Sequence, residues 1–214
     1  MKLAVYDIGT NSIHLLIVRI KDDFSFEVVD HEKDFTRLGH GSFESNTLSR
    51  EAIARTCRVL KRFGQIVRKS GVRKVIGVAT SAVRQAQNGQ ALVEAARRSS
   101  GLRVRVISGQ EEARLVFIAA LSSVETNGRR TLAIDIGGGS AELVVGDRDQ
   151  TNFTGCYPLG VARLTETYLR HDPPTKKDLR RLEKAVDRQL GVDAKKIRRL
   201  HPAMTIGTAG TIIN

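Results

Sequence analysis

The sequence is poor in cysteine, in aromatic residues and in long apolar runs. Two cysteines in 214 residues, Cys57 and Cys156, form neither a CxxC nor a CxxH pair, which argues against a zinc site and excludes a disulfide scaffold. Such sparse cysteine is typical of a reduced protein, so a cytoplasmic location is predicted. No apolar run approaches the roughly 18 residues of a membrane span. Asp7 and the polar residues 10–12 interrupt the N-terminal apolar stretch, which is therefore not expected to be a signal peptide.

Positive charge is in excess. Lys and Arg total 35 against 23 Asp and Glu, a formal net charge of +12 that favours polyanions as partners. Half of this charge lies in Lys176–Arg199, where apolar residues recur at helical spacing. A solvated helix face and a polyanion-facing surface both remain open for this segment. It contains no aromatic residue, and no helix-turn-helix, zinc-finger or RNP motif occurs elsewhere, so neither nucleic acid nor a membrane is the expected partner.

An internal repeat dominates the organisation of the chain. LAVYDIGTNSIHLLIV (residues 3–18) resembles LAIDIGGGSAELVVG (residues 132–146) at an offset of 128 residues. Each copy reads as an apolar strand, a polar glycine-containing turn and a second apolar strand. The repeat predicts two related α/β domains, residues 1–124 and 125–214, each opening with a β-hairpin.

Further strands and helices alternate around the two hairpins. Strands are predicted at 26–29, 74–80, 103–107, 151–157 and 203–206. Helices are predicted from 49 to the residues before Gly71 and at 90–99, 108–121, 161–169 and 175–190. This alternation predicts α/β sheets with parallel members.

The hairpin turns DIGTNS and DIGGGS have the composition of phosphate-binding loops. Glycine lets the backbone present N–H groups to an anion, and hydroxyl groups add donors. Two carboxylates, Asp7 and Asp135, would repel phosphate unless a cation such as Mg²⁺ intervened. The alternative is a simple hairpin turn that needs positive φ. Two matching copies and a third turn, GTAGT, favour phosphate binding. The candidate phosphate-binding residues from these turns are Thr10, Asn11, Ser12, Gly137, Gly138, Gly139, Ser140, Gly207 and Thr208.

Several ordered motifs carry a family resemblance. They are DIGTNSIHLLI, RLGHG (37–41), ATSAVRQA (79–86), ISGQEEARLVF (107–117), IDIGGGSAEL (134–143) and the late GTAGT. Together they resemble the exopolyphosphatase and guanosine-pentaphosphate phosphohydrolase family, within the actin, sugar-kinase and heat-shock-ATPase superfold. The resemblance implies an α/β protein with two actin-like (ribonuclease H-like) domains, each with a mixed sheet and flanking helices.

The resemblance also assigns residue roles. It implies that Glu112, the second Glu of EEAR, is the general base and that Glu142 holds metal or water as a second catalytic residue, with Asp7, Asp135 and Glu142 as the metal ligands. It gives Arg84 a phosphate-binding role. Each role has a simpler alternative: a first-turn Glu favoured by the helix dipole, an exposed strand Glu and a surface Arg, respectively.

Glu111 and His14, which lie close in sequence to the candidate residues, have simpler explanations than a role in the site. Glu111 is explained by a capping box with Ser108, which leaves Glu112 as the catalytic candidate. His14, on an apolar strand, is expected in the core or behind the site rather than as a ligand.

The predicted activity is hydrolysis of the terminal phosphate of inorganic polyphosphate or guanosine pentaphosphate, a stringent-response substrate. Mg²⁺ or another divalent cation would assist, and the phosphate tail would lie across the two turns. A kinase or ATPase of the same superfold, a non-catalytic alarmone or polyphosphate binder and an electrostatic nucleic-acid binder are the alternatives. A homodimer is compatible with the sequence.

Length adds one expectation. The second repeat unit has 84 residues, 44 fewer than the offset allows, so its domain is expected to be incomplete at the C-terminus. We then expect low activity for this chain, or completion of its second domain by a partner.

Overall fold

A computed structural model describes residues 1–213. These residues form two compact units, Met1–Ile107 and a second unit that begins at Ser108. Each unit is built on one mixed β-sheet. None of the helices formed by the described residues is long and apolar enough to span a membrane.

The first unit holds a five-stranded sheet. Its elements are β1 (Lys2–Ile8), β2 (Ile13–Ile20), β3 (Phe26–Asp34), α1 (Ser42–Ser45), α2 (Arg50–Lys69), β4 (Lys74–Ala79), α3 (Ser81–Gln85), α4 (Gly89–Ser100) and β5 (Val104–Val106). The strand order is β3-β2-β1-β4-β5, in which β1 pairs antiparallel with β2 and parallel with β4. Helices α2 and α4 cover the sheet, and the fully buried Leu60 and Phe63 of α2 belong to its main core.

The second unit repeats this plan. Its elements are α5 (Gly109–Ser123), β6 (Thr131–Ile136), β7 (Ala141–Gly146), β8 (Thr151–Tyr157), α6 (Val161–Tyr168), α7 (Lys176–Arg199), β9 (Met204–Thr208) and α8 (Gly210–Ile213). The strand order β8-β7-β6-β9 matches β3-β2-β1-β4, with the same antiparallel hairpin and the same parallel neighbour. Position in this order makes α7 the counterpart of α2. The predicted α/β class and both hairpins are confirmed.

Two small cores hold the second sheet. On one side, α5 contributes Ala113, Phe117 and Ala120, which cluster with Val144 of β7. The other cluster centres on Tyr157, against which side chains of α6 and α7 pack. Since α5 packs against β7 and β8, it belongs to the second unit, whereas the domain prediction placed it in residues 1–124.

Helix α7 runs further than predicted. It continues to Arg199 instead of ending at residue 190, through Gly191, where an added Cβ would meet no atom within 4 Å. An exposed glycine costs a helix only about 1 kcal/mol, and the buried Ile197 extends the apolar face beyond it. Strand β3 likewise continues beyond the predicted residue 29, because its polar second half pairs with β2 up to Asp34.

Candidate functional site

The two hairpin turns share one backbone geometry. We call residues 9–12 loop A and residues 137–140 loop B. In loop A the Gly9 N–H donates to the Ser12 carbonyl at 3.0 Å, and in loop B the Gly137 N–H donates to the Ser140 carbonyl at 3.0 Å. None of the positive-φ residues among the described positions lies in either loop, so the glycines are not explained by left-handed backbone.

Loop B has its carbonyl groups bound from behind. They accept hydrogen bonds of 2.9–3.1 Å from the backbone N–H groups of Val161 and Arg163, at the start of α6, and from Arg163 Nε. Within residues 1–213, the N–H groups of residues 138–140 find no protein acceptor. Three successive N–H groups without protein acceptors are donors that could receive an anion.

Loop A is held in the same way by the RLGHG segment. The Gly39 N–H donates to the Thr10 carbonyl at 2.9 Å, and the Arg37 N–H donates to the Asn11 carbonyl at 2.8 Å. The N–H groups of residues 10–12 have no acceptor in the described chain. The Thr10 hydroxyl is buried without a partner in the described chain, as are the hydroxyls of Thr36, Thr56, Ser81 and Thr126.

Close backbone contact explains a glycine behind each loop. A Cβ on Gly160 would lie 2.3 Å from the Gly139 nitrogen and 2.4 Å from the Gly138 carbonyl carbon. A Cβ on Gly39 would instead meet the Thr10 Cγ2 at 2.5 Å. A Cβ at Gly160 would therefore meet the backbone of loop B, whereas a Cβ at Gly39 would meet a side chain of loop A.

Four side chains cross the second sheet in one row. Strand register aligns Cys156, Glu142, Asp135 and Thr208 as successive partners on β8, β7, β6 and β9. Directly opposed residues project to the same face, so the row runs beside loop B. The Cys156 thiol donates to Glu142 Oε1 at 3.2 Å, and the Thr208 hydroxyl donates to Asp135 Oδ1 at 2.5 Å.

Glu142 is the most unusual member of this row. It is 1% exposed, and its Oε2 has no hydrogen-bond partner in the described chain. Burial, together with the nearby charge of Glu112, raises the pKa of Glu142 to about 7. The exposed-strand alternative for this residue is therefore wrong. A carboxyl that titrates near neutral pH beside an anion cradle is suited to holding or moving a proton.

Glu112 lies on the first turn of α5, in the same unit. Ser108 caps the helix, and its hydroxyl accepts the Glu111 N–H at 3.1 Å, which is one half of the predicted capping box. The Glu112 N–H donates to the Ser108 carbonyl at 2.9 Å, which makes it part of the helical ladder. Its side chain is half-buried and near enough to repel the charge of Glu142.

The first sheet carries an equivalent row with different chemistry. Lys33, His14, Asp7 and Val78 are aligned on β3, β2, β1 and β4. His14, the counterpart of Glu142, is half-buried and lies 3.0 Å from the Ser12 hydroxyl and 3.3 Å from His31. Burial and the charge of Lys33 lower its pKa. His14 thus contacts loop A through Ser12, and its expected place in the core or behind the site stays a prediction.

Arg84 follows β4 in the short helix α3. It is half-buried, and its Nη1 donates to the Ile107 carbonyl at 3.0 Å. The Thr80 N–H, just before α3, donates to the Ile8 carbonyl at 3.2 Å, which fixes the start of α3 beside the end of β1. A purely surface position for Arg84 is thus wrong, whereas its phosphate-binding role stays a prediction.

The predicted site residues divide between the units. The second unit brings together Glu112, Asp135, loop B, Glu142 and Thr208, whereas Asp7, loop A and Arg84 belong to the first. Gly207 lies next to Thr208, and a Cβ there would meet Ile212 Cγ2 at 2.5 Å, so packing alone accounts for this glycine.

Two neighbours of the site escaped the sequence analysis. They are Cys156, which contacts Glu142, and Gly160, which supports loop B. Continuing the strand pairing from β7 to β8 would have found Cys156. The sequence carries no local signal for Gly160.

The donor atoms of the second unit suit a hard divalent cation. Asp135 and Glu142 are cross-strand partners, and one buried oxygen of Glu142 is unpaired. Mg²⁺ is usually bound by one or two carboxylates together with substrate phosphates, so this pair fits the predicted metal. No group of three His, Cys, Asp or Glu side chains within residues 1–213 is arranged to hold a metal by itself.

A family model for the Ppx/GppA phosphatase family matches residues 16–213. The chain belongs to this family. The resemblance seen in the motifs is thereby confirmed, and the Ppx/GppA assignment agrees with the two actin-like sheets.

Individual relatives agree with the Ppx/GppA family. Exopolyphosphatase 1 of Mycobacterium bovis is 29% identical over 211 residues. The match covers 99% of this chain, which spans about three-fifths (59%) of that relative's length. A crystal structure of an exopolyphosphatase from Cytophaga hutchinsonii is 33% identical with a TM-score of 0.93 and covers 99% of this chain and 67% of that one. The Aquifex aeolicus family member is 30% identical with a TM-score of 0.76 and covers 99% and 67%.

Proposed function

We propose that the protein is a phosphohydrolase that releases the terminal phosphate of inorganic polyphosphate, guanosine pentaphosphate or both. One observation carries the proposal: a buried carboxyl with a pKa near 7, Glu142, lies beside a loop whose N–H groups have no protein acceptor. The loop N–H groups alone would be enough for a protein that only binds phosphate. Hydrolysis also needs a proton acceptor and a second acidic residue, which Glu142 and Glu112 provide.

The phosphates of the substrate occupy loops A and B. Each loop offers backbone N–H groups, and Thr10, Ser12 and Ser140 add hydroxyl groups. Arg84 adds a guanidinium that can bind phosphate through two parallel hydrogen bonds. These donors offset the charge that develops on the transferring phosphoryl group.

Glu112 takes the proton of the attacking water. Water oxygen bonds to the terminal phosphorus, the bridging P–O bond breaks, and the shortened chain leaves with the bridging oxygen. Glu142, buried beside loop B, holds that water or the metal ion. Asp135 and Glu142 of the second unit and Asp7 of the first are the proposed carboxylates for Mg²⁺, which would neutralise phosphate charge. A cytoplasmic location and a homodimer remain predictions.

Phosphate release tests the proposal. The purified chain is incubated with Mg²⁺ and, separately, long polyphosphate, short polyphosphate and guanosine pentaphosphate. Glu112→Gln should lower release by about 10²–10⁴-fold, the usual contribution of a general base. Glu111→Gln is the matched control, since it removes the same charge from the same helix turn. Equal losses in both variants, or no release from any substrate even by a version as long as the relatives, would refute the proposal.

A further inference from the structure

The net charge of the protein lies on two helices. Helix α7 has ten Lys or Arg and four Asp or Glu, and its counterpart α2 has seven and one. Each helix therefore carries +6, and together they account for the whole +12 of the chain. The remaining residues have a formal net charge of zero, so the net positive charge that can attract anions over long range lies on these two elements.

The cations of α7 are concentrated on one side. At 3.6 residues per turn, nine of the ten fall within a stripe about 140° wide that follows the helix for roughly 36 Å. We call these nine residues the α7 stripe: Lys176, Lys177, Arg180, Arg181, Lys184, Arg188, Lys195, Arg198 and Arg199. The opposite side carries Val186 and Leu190, which pack against the core around Tyr157, so the stripe faces away from the fold.

Few carboxylates neutralise the α7 stripe. Asp178 is buried in the capping box with Thr175, and Asp193 accepts from the Tyr157 hydroxyl and from Lys196, the one cation outside the stripe. The two exposed carboxylates, Asp187 and Glu183, project within one edge of the stripe and just outside that edge, respectively. No ion pair involving the nine cations is found within residues 1–213.

Helix α2 differs in this respect. Arg55 Nε donates to the Thr36 carbonyl at 2.7 Å, and Arg62 forms an ion pair with Asp34 at 2.8 Å. Arg62 also lies over the Phe63 ring at 5.3 Å. Part of the charge of α2 thus serves the packing of the first unit, whereas the α7 stripe has no such role.

We infer that the α7 stripe is a second binding surface, separate from loops A and B, for the body of a long inorganic polyphosphate chain. The inference builds on the proposed substrate class. A linear chain with a negative charge on every phosphate matches cations that extend along the helix, six of them from Lys176 to Arg188 and three from Lys195 to Arg199. A single-stranded nucleic acid would in addition need aromatic platforms for its bases, and α7 contains no aromatic residue.

Salt-dependent binding tests this inference. Labelled long-chain polyphosphate is titrated without divalent cations against wild type and a quadruple variant, Arg180→Gln, Arg181→Gln, Lys184→Gln and Arg188→Gln. We expect affinity at 0.1 M salt to fall by at least about tenfold, and the slope of log K against log salt to decrease by about 3. Tripolyphosphate, too short to follow the stripe, should bind within about twofold of wild type.

The matched control removes the same charges from α2: Arg50→Gln, Arg58→Gln, Lys61→Gln and Arg68→Gln. All eight side chains are exposed and Gln is a good helix former, so folding should persist in both variants, which circular dichroism checks. If the α7 quadruple variant does not fold, the double variant Arg180→Gln, Lys184→Gln replaces it, with half the expected change in slope.

Two results would overturn the inference. One is an equal loss in the α2 control, which would mean attraction by overall charge. The other is tighter binding of a single-stranded RNA with the same number of phosphates. Because the assay needs no turnover, absence of hydrolysis would refute the proposed function without affecting the inference that the α7 stripe binds polyphosphate.

Discussion

The two sheets present the same frame with different side chains. In the second unit the row beside loop B is Cys156, Glu142, Asp135 and Thr208, acidic and hydrogen-bonded within itself. In the first, the position of Glu142 is taken by His14, which is held neutral by burial and by neighbouring positive charge. The second row therefore places carboxyl groups beside its loop, whereas the first places an imidazole and an ammonium group beside a loop of the same backbone geometry.

The largest test of this difference is kinetic. Glu142→Gln should lower phosphate release by about 10²–10⁴-fold, because a neutral amide cannot replace the carboxylate that holds the attacking water or the metal ion. His14→Gln, the equivalent change in the first unit, should cost less than about tenfold. Initial rates with polyphosphate and Mg²⁺ measure both. Similar losses would show that the two rows contribute alike and would break the comparison.

A second test uses the dependence of stability on pH. The folded-state pKa of Glu142, about 7, exceeds its usual 4.5, so between these values the folded protein keeps a proton that the unfolded chain releases. Stability therefore declines as pH rises through this window, by about 3 kcal/mol in total. Glu142→Gln should remove that decline. Urea unfolding at pH 4 to 8 in EDTA checks it, and an unchanged pH profile in the variant would contradict the raised pKa.

His14 predicts the opposite pH dependence for the first unit. Its pKa is lowered below the usual 6.5, so the folded unit resists protonation. The stabilising effect is complete above pH 6.5 and is lost as pH falls through the lower, folded-state pKa. NMR titration of the His14 ring measures the direction of this pKa shift. A ring that titrates above 6.5 would disagree with this prediction.

A further test concerns the glycine that supports each loop. In Gly160→Ala the new Cβ would collide with backbone of loop B, and we expect a loss of about 1–3 kcal/mol together with weaker phosphate binding. Gly39→Ala meets a side-chain methyl of Thr10, which can rotate away, so the loss should be smaller. Calorimetric titration with tripolyphosphate and urea unfolding measure the pair. A larger loss of stability in Gly39→Ala than in Gly160→Ala would contradict the expectation that loop B has the more rigid support.

The smallest test removes a single hydrogen bond. Cys156→Ala takes the thiol donor from Glu142 Oε1 and should slow phosphate release by about two- to tenfold, as expected for one hydrogen bond. Cys156→Ser should restore the donor and most of the rate. Lys33→Ala, at the equivalent place in the first row, is the control and should change little. If serine fails to rescue, the thiol does not act through that bond.

Local pattern was enough to predict much of the fold. Strand alternation and the Gly-rich turns gave both hairpins, and the Ser108 cap located the start of α5. The extension of α7 beyond Gly191 was missed because the distant packing of Ile197, rather than local propensity, decides it. The grouping of α5 with the second unit likewise depends on tertiary contacts.

The candidate site shows the same limit. Glycines and hydroxyls in the turns indicated phosphate loops, and the structure adds that the N–H groups of residues 10–12 and 138–140 have no acceptor in the described chain. The raised pKa of Glu142 could not be predicted, because it arises from burial and from Glu112 across the fold. The contact with Cys156 depends on how β8 pairs with β7, and nothing adjacent in the chain reveals that register.

The proposed recognition of phosphate by the main chain has a consequence for mutational scanning. The proposed donors of loops A and B are backbone N–H groups, which every amino acid except proline supplies, so replacing a loop side chain with alanine leaves most of them present. A scan would then find residues 10–12 more tolerant than Gly160 and Gly9, at which a new Cβ would lie 2.3 Å from the Gly139 nitrogen and 2.9 Å from the Ser12 carbonyl oxygen, respectively. Semisynthetic exchange of single amides for esters in residues 138–140 would remove one N–H at a time and would measure the contribution of each donor.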